Sequence, residues 1–175
     1  MKINIVILFS TIITSAFLAT SCNSTKSHTE ILPECEIAYN GIGEPFSQII
    51  ENTRPKVVVC NNMLAKNISK ETLFNDVELL RKQIEEFSEF DFIFYISTSC
   101  DNTPRVATIA KENNIKAVII IDSTDTFRTL NKLDSRVIAS AMILDSKLRP
   151  HPSALPGVRF SPFSSEANKF LKQHY

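Results

Sequence analysis

Residues 55–60, Pro55-Lys56-Val57-Val58-Val59-Cys60, and residues 91–96, Asp91-Phe92-Ile93-Phe94-Tyr95-Ile96, decide how this chain folds. The first is a β-branched run of the kind found in strands covered on both faces. The second is apolar on both of its faces, and its phenylalanines, with Phe87 and Phe90 just before it, read as core. Between the two runs, Leu73, Val77, Leu80, Ile84 and Phe87 recur at spacings of four and three, a single helical stripe that Ser69 can cap. The pattern then repeats. Thr103-Pro104 reads as an N-cap followed by proline at the first helical position, Val106, Ile109 and Ala110 form an inner face, and Asn113-Asn114 closes the helix. Ala117 to Ile121 is a third strand ending at Asp122. A short helix over 125–133 points Phe127 and Leu130 inward, and Ser140 to Leu144 is a fourth strand. Asp145-Ser146-Lys147 turns into Leu148, Pro150 to Pro162 is a proline-rich loop, and a last helix runs from Ser164 to about Gln173. Strands separated by helices call for parallel pairing through right-handed crossovers, and a late hairpin adds an antiparallel edge.

Composition narrows the function. The 175 residues carry nineteen Lys and Arg against nineteen Asp and Glu, a net charge of zero, so no basic surface for nucleic acid is expected. One domain fits this length. Gly41, Gly43 and Gly157 are the only glycines, too few and too scattered for a glycine-rich phosphate loop.

The first residues, MKINIVILFSTIITSAFLATSC, place Lys2 before an interrupted apolar run and a cluster of small residues, the layout of a secretory signal. The run is too short for a membrane span, which needs about 20 apolar residues. Leu18-Ala19-Thr20-Ser21-Cys22 resembles the lipobox of bacterial lipoproteins, with the leucine one place earlier than usual. The resemblance implies cleavage after residue 21, a palmitate-type lipid on Cys22 and attachment to a membrane of the cell envelope. Residues 1–21 are then the signal peptide and residues 22–44 a polar, mobile tether with Pro33, Gly41 and Gly43. A possible short helix over Phe46 to Glu51 opens the domain of residues 45–175.

Within that domain, Lys56 to Val59, Phe92 to Ser97 with the helix from Thr103 to Ile115, and Val137 to Asp145 resemble the redoxin branch of the thioredoxin fold. The resemblance implies an α/β, three-layer fold with a central mixed sheet. It also exposes a departure. Active members carry Cys-x-x-Cys at the start of the first helix, where the helix N-terminus favours the thiolate. Those positions fall at Lys66-Asn67-Ile68-Ser69, and no cysteine lies between Cys60 and Cys100. The family's cis-proline falls near Ala139, and a non-proline cis bond would cost about 2.5–4 kcal/mol.

The remaining cysteines offer weaker chemistry. Cys60 ends a hydrophobic strand and reads as a small buried hydrophobe. Cys100 lies just ahead of a helix and is the candidate catalytic thiol, although Asp101 beside it opposes ionisation. Cys35 sits in the tether and could resolve a bond made at Cys100. In an oxidising compartment Cys35, Cys60 and Cys100 allow one disulfide and one odd thiol, with Cys60–Cys100 and Cys35–Cys100 equally open. His28, His151 and His174 are scattered and read as solvated side chains, so no metal and no cofactor are expected. Asp122, Asp125 and Asp145 read as caps and turn residues, and Ser97-Thr98-Ser99 as a polar strand end. Phe160 and Phe163, in or beside the proline-rich loop, are the expected contact for a protein or peptide partner. The expected function is a membrane-anchored, non-catalytic binding or accessory protein. The alternatives are a thiol–disulfide oxidoreductase working through Cys100 and a purely structural lipoprotein.

Overall fold

Val57, Val58 and Val59 make β2 (Lys56–Asn62) an inner strand, because both of their faces need cover and both backbone edges need partners. β2 pairs in parallel with β3 (Asp91–Ser97), with Val57 opposite Phe92 and Val59 opposite Phe94. On its other edge it pairs antiparallel with β5 (Ala139–Leu144), with Val57 opposite Ile143. β3 pairs in parallel with β4 (Val118–Ile121), and β1 (Glu36–Asn40) closes the far edge antiparallel to β4. The strand order is β1-β4-β3-β2-β5. The computed structural model describes residues 32–62, 69, 77–133, 139–151 and 163–174.

Side-chain alternation along the strands sorts the core into two layers. Val57, Val59, Phe92, Phe94, Ile119 and Ile143 meet Ile84 of α2 (Val77–Glu86), Val106 and Ala110 of α3 (Thr103–Glu112), and Ala167 and Phe170 of α5 (Phe163–His174). On the opposite face Val58, Ile93, Tyr95, Val118 and Met142 meet Phe46 and Ile49 of α1 (Phe46–Glu51) and Phe127 of α4 (Thr126–Leu130). The Tyr95 and Phe127 rings stack in parallel, 4.2 Å between centroids. The mixed sheet between two helical layers is the architecture that the sequence predicts.

Four local expectations are corrected. Residues 36–40, placed by sequence in the tether, form β1. A register shift between Ile37 and Tyr39 lets the adjacent Ala38 and Tyr39 both pack on the α3 side, which erases the two-residue period by which a strand is read. Thr103 is the first residue of α3, with Asn102 in the cap position. Leu130 is 44% exposed, because α4 ends at that residue and turns only Phe127 and Arg128 inward. His151 is buried, its ring edge-on to Phe170 and 5.8 Å from the His174 ring.

Three polar devices fix the frame. Gly41 donates its N–H to the Ala117 carbonyl at 2.9 Å, and a Cβ there would meet the Ile115 carbonyl oxygen at 2.1 Å, so only glycine lets the exit of β1 lie against the entry to β4. At the amino ends of β2 and β3, fully buried Lys56 lies 3.7 Å from the Asp91 carboxylate and donates to the Asn52 side-chain oxygen at 2.7 Å. Arg54 and the Asn52 amide bind the same carboxylate from outside, at 3.1 and 2.9 Å. At the carboxyl end of β5, Asp145 accepts from the Lys147 and Arg149 amides at 2.8 and 2.9 Å and pairs with the Arg149 guanidinium. That turn brings Pro150 back to bridge Leu144.

Asp91→Ala removes one half of a buried ion pair and leaves the Lys56 ammonium without its counter-charge, so it costs about 3–5 kcal/mol in urea unfolding, whereas loss of an exposed pair costs about 1. Burial pushes the Asp145 pKa up, but the hydrogen bonds from Arg149 and Lys147 outweigh that and hold it below the usual value. A carboxyl depressed in the native state contributes stability above its unfolded pKa, near 3.9, and loses it as pH falls through the native value. The stability gap between the parent and Asp145→Asn therefore narrows with acidification below about pH 4.

Candidate functional site

In α/β sheets, ligands and chemistry gather at the carboxyl ends of the parallel strands, where chain and polar side chains emerge from the core. Here those ends are Asn61-Asn62 of β2, Ser97 of β3 and Asp122 after β4. Asp122 is the hub. It is 1% exposed, and its carboxylate accepts from the Thr126 and Phe127 amides at 2.8 and 2.7 Å and from the Cys35 thiol at 3.8 Å. The two amides are orphan donors at the start of α4, so Asp122 does the capping that a side chain at the N-cap position would do.

Asp125 occupies that cap position in a left-handed conformation, φ 55°, and makes no side-chain cap. Its carboxylate instead accepts from the Ser97 hydroxyl at 2.5 Å and pairs with the buried Arg128 guanidinium at 3.3 Å. Arg128 reaches on to the Cys60 sulfur, 3.7 Å away. One charged chain thus runs from the end of β3 through the start of α4 to the middle of the α1/α4 layer. Capping is the role that the sequence predicts for the two aspartates, but the structure divides it: Asp122 caps, and Asp125 balances Arg128.

The three cysteines described are free and lie in different environments. Cys60 is 1% exposed, opposite Tyr95 on β3 and Ser140 on β5. Burial pushes its thiol up to about 11, against the opposing pull of Arg128. Cys35 is half-buried before β1; burial raises its pKa first, and the Asp122 charge adds to that. The nearness of Cys100 adds the smallest contribution to that rise. Cys100 is exposed and opens the short 3-10 turn Cys100–Asn102 ahead of α3, where the Ser99 hydroxyl accepts from the Asp101 amide.

Ala139 begins β5 opposite Asn61, and Ser69 is half-buried in irregular chain. Cys22, Lys66 and Phe160 lie outside the described residues, and Phe163 opens α5. Sequence reasoning missed Arg128, whose guanidinium is drawn under the sheet end. An arginine between Phe127 and Thr129 in a five-residue helix carries no pattern that would have marked it.

No family model and no curated protein matches the chain. Solved structures do. A thioredoxin-like protein in its oxidised form matches with a TM-score of 0.62 at 13% identity, over 86% of this chain and 99% of that one. A peroxidoxin from Mycobacterium tuberculosis matches with a TM-score of 0.53 at 11% identity, over 80% and 93% of the two chains. A thiol-disulfide oxidoreductase from Bacteroides fragilis matches with a TM-score of 0.50 at 7% identity, over 68% and 82%. Identities this low speak for architecture and leave the reaction open. With the mixed sheet, its two helical layers and these neighbours, the chain folds as an α/β thioredoxin-like domain.

Proposed function

We propose that the domain is a binding or accessory module held at the cell envelope by a lipid on Cys22, and that its thioredoxin-like frame serves recognition rather than dithiol turnover. The observation that carries this reading is the position of the cysteines. The strand that leads to the redox centre in active members carries Cys60 inside it, buried and with its thiol pushed up to about 11, and Lys66 to Ser69, where the resemblance puts the redox motif, include no cysteine. A Cys-x-x-Cys enzyme needs a thiolate that is exposed and stabilised, with a second thiol three positions along the chain. The envelope location rests on the signal-like N-terminus and on Cys22 after its small-residue cluster.

The alternative, thiol–disulfide exchange started at Cys100, draws its support from the exposure of that one side chain. The partner of the module is a protein or peptide, since nothing in the composition favours nucleic acid.

Three measurements test the proposal. Reduction of a disulfide-linked polypeptide, driven by a small dithiol, should proceed at the uncatalysed rate; acceleration of more than about tenfold would overturn the non-catalytic reading. In native thiol titration Cys100 should react first, while Cys60 should stay silent until the protein is unfolded. The mass of the mature chain should correspond to residues 22–175 plus lipid, and an unmodified or uncleaved N-terminus would remove the anchor.

A further inference from the structure

Cys35 stands on one edge of β4 at Asp122, and on the other edge β3 runs out towards Cys100, three residues beyond Ser97. Glu36 pairs with Ile121, so Cys35 stands beside Asp122 on the outer edge of β4, with its thiol on the Asp122 carboxylate at 3.8 Å. On the inner edge Ile96 also pairs with Ile121, and the Asp122 amide donates to the Ile96 carbonyl at 3.0 Å. The chain leaving β3 therefore passes Asp122 just before it reaches Cys100. Neither cysteine belongs to a strand, so either can shift without breaking the ladder. Cys60, by contrast, is locked in β2, covered on its face of the sheet and held near Arg128.

From this juxtaposition we infer that Cys35 and Cys100 form a reversible disulfide clip that ties the segment before β1 to the β3–α3 turn, with small or protein-borne disulfides as the oxidant. The exposed Cys100 thiolate attacks one sulfur of the external disulfide. A mixed disulfide forms at Cys100, and the other half leaves as a thiolate. Cys35 then loses its proton to solvent by way of the Asp122 carboxylate it already faces, and attacks the Cys100 sulfur. The mixed disulfide breaks, the second thiolate departs, and the Cys35–Cys100 bond remains. Two protein thiols are oxidised and one external disulfide is reduced to two thiols. Closure requires a Cα–Cα separation of about 4.4–6.8 Å, to which the chain before β1 at Cys35 and the short 3-10 turn at Cys100 must move. The clip deepens the thiol side of the reading above but needs no turnover, so it can hold or fail independently of the reductase assay.

The test is incubation of the full-length chain in oxidised and reduced glutathione at several ratios, followed by non-reduced peptide mapping of all four cysteines. The expected result is a peptide linking Cys35 to Cys100 with Cys60 still a thiol, and a rise in Tm of roughly 5–15 °C that a dithiol reductant reverses. The Cys35→Ser variant keeps a hydroxyl donor for Asp122 and should stop at a glutathione adduct on Cys100 and show no Tm rise. A bond from Cys22 or Cys60 to any other cysteine, or a parent chain that also stops at the Cys100 adduct with Cys35 free, would overturn the clip.

Discussion

The constraint on which the rest of the domain depends is that β2 must be paired on both edges and covered on both faces. Its valines are too apolar to face water, so the chain has to supply a parallel neighbour, an antiparallel neighbour and two helical layers. Each supply line then fixes something else. The parallel neighbour β3 demands a crossover, which sets α2 on one face. The antiparallel neighbour β5 comes back through the Asp145 turn. Register is pinned at the amino end, where Lys56 and Asp91 stand opposite each other with no exposed surface between them. A slip of one residue would turn every valine to the wrong layer and separate those charges.

The same frame explains why polar chemistry collects at one end. At the amino ends of the strands the charges neutralise one another and are closed off by Arg54 and Asn52. At the carboxyl ends the charges instead hold loops: Asp122 holds the start of α4, Asp125 holds Ser97, and Arg128 bridges towards Cys60. A buried carboxylate and guanidinium network occupies this end, and among the described cysteines the exposed one, Cys100, lies in the β3–α3 turn.

What sequence could reveal follows from the range of the forces involved. β2, β3, β4 and β5 were legible because apolar runs are local, and α3 and α5 because caps and stripes are local. β1 was not, since its partner β4 lies about eighty residues on and the bulge at Ile37–Tyr39 hides its period. The site was only half legible. The missing Cys-x-x-Cys could be counted directly, and Cys60 could be assigned to the core from its strand. Arg128 and the hub role of Asp122 arise from tertiary placement, with partners between three and eighty-seven residues away. The meeting of His151 with Phe170 and His174 is of the same kind, made by a loop and a helix whose contact no pattern announces.

β1 also determines how the domain bears a mechanical load. Any pull delivered through the segment before Glu36 enters the fold at an edge strand hydrogen-bonded on one side only, to β4. The Pro33 carbonyl, which accepts from the buried Tyr95 hydroxyl at 3.1 Å, and the Cys35 contact with Asp122 take the strain first, and a transverse pull would then open the ladder one residue at a time from the Glu36–Ile121 pairing. The Gly41 contact with Ala117 at the far end of β1 is the last point to yield. The weakest seam of the sheet under tension is therefore the one next to the network at the carboxyl ends, so a force on the N-terminal segment would reach Cys35 and Asp122 before it reached the valine core.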